Sequence, residues 1–148
     1  MNKEQAIKKL ATVEEEVSKL RKIIETPEDY ISLNVDTYEK VCKELGEKEL
    51  TINDFNHLPE YLRNKSLIIC KLNQIGKLFN GDWKVNISDK NQQKYYPYFE
   101  IKAGFGMVFY NSSYSYSCLS GRLDYFKDEK TAIFVGKNFI NLYKEYYF

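Results

Sequence analysis

The sequence predicts an α+β fold: an N-terminal coiled-coil-like helix, central helices, and a small antiparallel meander covered by helices, one of them C-terminal. Apolar residues recur at helical spacing as far as Phe79. After Gly81 they alternate with polar ones, which is the period of a half-buried strand. A helical stripe returns at Ala132 and runs to Tyr146. Helices, then short strands, then a closing helix is the order expected when helices gather on one face of an antiparallel sheet.

The first helix runs over residues 2–25 and stops at Thr26-Pro27, because proline cannot continue it. Ala6, Leu10, Val13, Val17, Leu20 and Ile24 alternate spacings of four and three, a heptad seam. With Leu10, Val17 and Ile24 at a, and Ala6, Val13 and Leu20 at d, a parallel pair would set Lys9 against Glu14 and Glu16 against Arg21. The expected oligomerisation surface is Leu10, Val13, Val17, Leu20 and Ile24. The competing expectation lays this helix on its own domain, with Ile7 and Ile23 widening the stripe. The domain reading is residues 1–26 as an oligomerising helix and residues 27–148 as an aromatic-rich α+β body.

A second helix is expected over residues 37–45, capped by Asp36 with Glu39 completing a capping box, and stopped by Gly46. A helical turn is expected near residues 53–57. A longer helix starts at Pro59 and buries Ile68, Leu72, Ile75 and Phe79. Strands are expected over residues 83–87, 98–102, 107–110, 113–119 and 122–126, with a turn at Gly104-Phe105-Gly106. Asp128 caps the last helix, residues 129–146.

Charge narrows the function. Lys and Arg total 22 against 21 Asp and Glu, a formal net charge of +1, which argues against a duplex-DNA binder that neutralises many phosphates. Cys42, Cys70 and Cys118 are far apart and form no CxxC pair, so reduced, packed thiols in a cytoplasmic protein are expected. No signal-peptide pattern and no run of ~20 apolar residues suggests a membrane association.

No motif announces catalysis. His57 is the one histidine, at a loop-to-helix junction, and no nucleophile signature surrounds it. Gly104-Phe105-Gly106 lacks the third glycine and the following helix of a dinucleotide fingerprint. The carboxylates lie at the spacing of a solvated helical face, and metal-binding spacings are missing. A non-catalytic protein without metal or cofactor is expected.

The aromatic residues concentrate late in the chain. In residues 113–119, Tyr114, Tyr116 and Cys118 alternate with Ser113, Ser115 and Ser117. Two readings stay open. In one, Tyr114 and Tyr116 face the helices as sheet core and the serines face water. In the other, hydroxyls and rings form a binding face, with Tyr95, Tyr96, Tyr98, Phe105 and Tyr110 as stacking surface, and Lys102 and Arg122 meeting an anion.

Trp83, the run Asn91-Gln92-Gln93-Lys94-Tyr95-Tyr96-Pro97-Tyr98-Phe99, Gly104-Phe105, Ser120-Gly121-Arg122-Leu123, and Gly136-Lys137-Asn138-Phe139-Ile140-Asn141-Leu142-Tyr143-Lys144 together resemble a family of small proteins carried by phages, prophages and mobile elements of gut bacteria. Its members show K-[WY]-Y-P-[WY]-F, a variable Ser/Thr/Tyr stretch, G-S-R-L and A-x-Y-A-G-K-Q-F-x-x-L-Y-K. The resemblance covers residues 38–148. Here the serine precedes the glycine of G-S-R-L, and Phe134-Val135 stands where Tyr-Ala is usual. The resemblance implies a phage or mobile-element context and names no reaction. The expectation is an accessory protein that self-associates and binds a host protein, a defence protein included, or sequesters a nucleotide-like ligand. One alternative is single-stranded nucleic-acid binding in a groove of Lys84, Lys90, Lys94, Lys102 and Arg122. Another is a structural virion or assembly component, and a hydrolase ranks last.

Overall fold

The computed structural model describes residues 34–115 and 124–148, together with 5, 9, 10, 12–14 and 16. The chain divides into two units, residues 1–34 and residues 35–148. In the first unit the described positions are helical, and Leu10 and Val13 are exposed. Val17, Leu20 and Ile24 of the expected seam lie outside the described residues.

The second unit runs α1 (Tyr38–Leu45), a 3-10 turn (Ile52–Phe55), α2 (Glu60–Asn80), β1 (Lys94–Lys102), β2 (Gly106–Ser115), α3 (Glu129–Asn138) and α4 (Ile140–Tyr147). It is α+β. Thr37, not Asp36, is the N-cap of α1, and its hydroxyl accepts from the Lys40 N–H at 3.3 Å. Asp36 instead takes the Lys40 ammonium at 2.6 Å, and that hydrogen bond lowers its carboxyl pKa.

The long helix carries the core. Ile68, Leu72, Ile75 and Phe79 of α2 are buried, each such side chain contributing about 1.5–3 kcal/mol. Tyr38 ties α1 to α2: its hydroxyl donates to Gln74 Oε1 and accepts from the Leu50 N–H at 3.1 Å. Burial pushes that phenol's pKa up. Phe79 meets Phe134 of α3 at 5.4 Å and Phe139 at 6.2 Å between ring centroids, joining α2 to the C-terminal helices.

Three further expectations need correction. The predicted single C-terminal helix is two, broken at Phe139, whose φ of −109° and ψ of 18° leave the helical region. Asn138 contributes to the break, because its side-chain amide takes the Phe134 carbonyl at 2.9 Å, a local bond that competes with the helical ladder. The break turns Phe139 into the core.

Residues 83–87 are not a strand. Gln92 supplies side-chain substitutes for a partner strand there, accepting from the Asn86 N–H at 2.6 Å and donating to the Lys84 carbonyl at 3.0 Å. Asx-type bonds Ser88 N–H to Asn86 Oδ1 and Asn91 N–H to Asp89 Oδ1 curl the rest.

The expected meander is, among the described residues, a two-stranded antiparallel hairpin. Of the expected strand 122–126, only residues 124–126 are described, and Phe126 makes an isolated bridge to Tyr95. Asn80, at the end of α2, clamps that segment: its amide donates to the Tyr125 carbonyl at 2.8 Å and accepts from the Lys127 N–H at 3.1 Å.

Candidate partner-binding surface

The hairpin presents the surface. Its arms are rich in the aromatic residues that favour extended backbone. The Phe105 N–H closes the turn onto the Lys102 carbonyl at 3.0 Å. Gly104 and Gly106 carry φ of 81° and 69°, where an L side chain would be strained.

Register is the decisive feature. Pairing runs from Lys102 opposite Gly106 to Lys94 opposite Ser115, but steps between Tyr98 (opposite Asn111) and Phe99 (opposite Phe109). Tyr110 is the extra residue, a β-bulge. One inserted residue reverses which face each following side chain takes. Residues 107–110 and the described part, 113–115, of the strand expected over 113–119 are therefore one bulged strand with its alternation inverted half-way.

One face of the hairpin lies under helices. Phe109 and Pro97 press on α3 at Gly136, where an added Cβ would lie 2.5 Å from the Phe109 ring and 2.8 Å from Pro97 Cβ. Glycine in mid-helix is thus required by contact between helix and sheet. Phe99 packs on Tyr143 of α4 at 4.8 Å, and the Tyr143 hydroxyl donates to Asp124.

The opposite face carries no described helix. Tyr98 and Tyr110 meet edge to face at 6.1 Å there, 41% and 60% exposed. Tyr96 lies farther along the same face, opposite Ser113 and against Tyr125 at 6.1 Å. At the far end Lys94 is fully buried, its ammonium donating to the Asp89 carbonyl at 2.9 Å and the Gln92 carbonyl at 2.8 Å. Lys94 is a strut for the 89–92 turn and lines no nucleic-acid groove.

The structure therefore brings Tyr96, Tyr98, Lys102, Tyr110, Ser113 and Ser115 to one face. Tyr95 goes to the other, where it meets Tyr114 at 6.1 Å. Phe105 stands at the turn, 80% exposed. Ser117 and Arg122 lie outside the described residues. The expectation that Tyr114 is core is wrong: beyond the bulge it sits on the helix side of the sheet but is 55% exposed. Ser113 and Ser115 are the half-buried residues of that stretch.

Sequence reasoning missed a second concavity. A cleft of about 500 Å³ opens between α2 and the segment after it, lined by Leu72, Asn73, Gly76, Lys77, Trp83, Lys84 and Ile87 among others. Gly76 faces open space, since nothing lies within 4 Å of an added Cβ. Lys77 pairs with Glu47, which lowers the pKa of that carboxyl. A glycine inside a strong helix, followed by the chain's one tryptophan, was the available signal.

Catalytic and metal chemistry find no assembled group among the described residues. His57 is exposed beside Phe55, Cys42 is buried and Cys70 half-buried. Among the described residues no three His, Cys, Asp or Glu side chains gather as metal ligands, and no helix is long and apolar enough to cross a membrane. No family model, curated protein or solved structure matches the chain.

Proposed function

We propose that this chain is a non-catalytic accessory protein of a phage or mobile element that binds a host protein through the open face of its hairpin. The observation that carries the reading is the exposed Tyr98–Tyr110 pair on a sheet face that no described helix covers. Tyrosine suits such a face, because it offers a large rigid ring with a polar tip and loses little side-chain freedom on binding. Self-association through Leu10, Val13 and their heptad partners would multiply the faces and raise avidity. The test is affinity purification of the tagged chain from its host, paired with the double variant Tyr98→Ala/Tyr110→Ala. The reading expects a stoichiometric host protein with the parent that the variant loses while keeping its circular dichroism. Equal capture by both would end it.

A second reading is supported by the cleft beside Trp83. Its apolar walls, the open helix at Gly76, and Lys77 and Lys84 at its edge suit a flat, anionic, nucleotide-like molecule. Native mass spectrometry of protein from infected cells would detect it, and Gly76→Leu, which fills the cleft, would remove it. Single-stranded nucleic-acid binding is weakened by the burial of Lys94.

A further inference from the structure

The cleft beside Trp83 is floored by one face of α2. Asn73, Gly76, Lys77 and Asn80 stand at i, i+3, i+4 and i+7, next to the buried stripe that ends at Phe79. Gly76 leaves the helix backbone uncovered, so a flat ring can rest on it. Trp83, Val85 and Ile87 supply apolar wall. Asn80 is committed to the Tyr125 carbonyl and the Lys127 N–H, while Asn73 is exposed with a donor and an acceptor of the kind that reads a ring edge. At about 500 Å³ the space suits one nucleoside-sized molecule.

Charge is what discriminates among such molecules. The charged side chains of the described lining are Lys77 from α2, Lys84 from the segment after it, and Asp124. Glu47 acts on the cleft through Lys77, whose ammonium its Oε1 takes at 2.5 Å. Its Oε2 accepts from Gln74 Nε2 at 2.7 Å, and Gln74 Oε1 accepts from the Tyr38 hydroxyl. Glu47 is therefore fixed by the clasp between α1 and α2, and the Lys77 and Gln74 bonds keep it ionised at neutral pH. Asp124 accepts from the Tyr143 hydroxyl. Two ammonium groups thus stand against two carboxylates.

We infer that Glu47 sets the charge this cleft accepts: it commits Lys77, leaves Lys84 to meet the ligand, and limits that ligand to a nucleoside-like ring with no more than one negative charge. The inference rests on the cleft reading above and narrows its ligand. A phosphate monoester carries about two negative charges at neutral pH, and a triphosphate carries more. A second charge has to draw on Lys77, and Glu47 competes for that ammonium. Exposed ion pairs of this kind are weak, worth about two- to fivefold in an equilibrium constant, so the selection is a graded preference.

Trp83 is the chain's one tryptophan and lines the cleft, so its emission reports occupancy. The full chain is titrated with adenosine, guanosine, cytidine and uridine, and with the 5′-monophosphate and 5′-triphosphate of each. A nucleoside should bind, and its monophosphate and triphosphate should bind no more tightly. Glu47→Gln keeps an acceptor for Gln74 and removes the charge. It should tighten the monophosphate about two- to fivefold and leave the nucleoside unchanged. Adding Lys77→Met to that variant should remove the gain, with circular dichroism confirming that each variant folds. A monophosphate that binds the parent more tightly than its nucleoside, and does not respond to Glu47→Gln, overturns the inference and leaves the cleft reading standing. Equal tightening of nucleoside and monophosphate by Glu47→Gln overturns it too, because the effect would then be shape and not charge. No change in Trp83 emission with any of these compounds overturns the cleft reading and the inference together.

Discussion

Two cross-strand ring pairs sit within a few residues of each other in nearly the same geometry. Phe99 and Phe109 meet at 6.0 Å and 78°, and Tyr98 and Tyr110 at 6.1 Å and 78°. The first pair is roofed by α3 and α4, with Gly136 and Tyr143 against it. The second has no described helix over it and is exposed. Ring-to-ring geometry is therefore not what makes an aromatic pair structural. What lies on the next layer decides it, because burial of area stabilises far more than the edge-to-face contact, worth about 0.5–1.5 kcal/mol. The bulge at Tyr110 lets the pairs differ by turning one ring out of the ladder's regular alternation.

Substitutions can break this contrast or sharpen it. The largest effect is expected for Phe109→Ala, which empties the space under α3 and should cost about 3 kcal/mol in chemical denaturation. If Phe109→Ala and Tyr110→Ala cost the same, the contrast between faces fails. Gly136→Ala should destabilise by about 1–3 kcal/mol despite alanine's better helix propensity, because its Cβ would meet the Phe109 ring and Pro97. A rise in melting temperature for that variant would show that α3 can lift off the sheet without cost. Tyr98→Ala should cost no more than about 1 kcal/mol of stability in chemical denaturation yet abolish capture of the proposed host partner, separating the proposed binding from packing.

The smallest effect is expected for Glu47, away from both faces. Hydrogen bonds from Lys77 and then Gln74 hold its folded carboxyl pKa below the ordinary value of 4.5. Its stabilisation is present above that value and lost as pH falls through the lower folded pKa. Glu47→Gln should therefore lower stability slightly at neutral pH, leave it unchanged in strong acid, and so flatten the acid limb of the stability profile below about pH 4.5. A steeper acid limb in the variant would contradict the assignment.

Much of the helical architecture was legible because its signals are local. Gly46, Asp128 and the Ile68 to Phe79 stripe each act within a turn or two, and the structure keeps them. The break at Phe139 was not legible, because Asn138 can serve a helix or interrupt it, and Phe139 leaves the helix to pack edge to face on Phe79. The stretch 83–87 alternates like a strand, yet its hydrogen bonds go to Gln92, whose role no periodicity announces.

The candidate surface divides the same way. Tyr98 and Tyr110 were legible as exposed rings, but Tyr96 is half-buried against Tyr125, and the faces of Tyr95 and Tyr114 follow from a pairing register that the sequence does not announce. A single unpaired residue flips the face of everything beyond it, and nothing in the alternation of 113–119 reveals that flip. The burial of Lys94 was equally hidden, because a lysine enters the interior only where carbonyls are already turned to receive it.

By itself the sequence determined the stop at Gly46, the cap at Asp128, the turn at Gly104, and the crowding of rings into one hairpin, since capping, backbone freedom and composition belong to neighbouring residues. Only the tertiary structure decided which rings are covered, which face each ring takes beyond the bulge, and that a cleft forms over Gly76. Those outcomes depend on where distant elements pack, and register and layering carry no local signature.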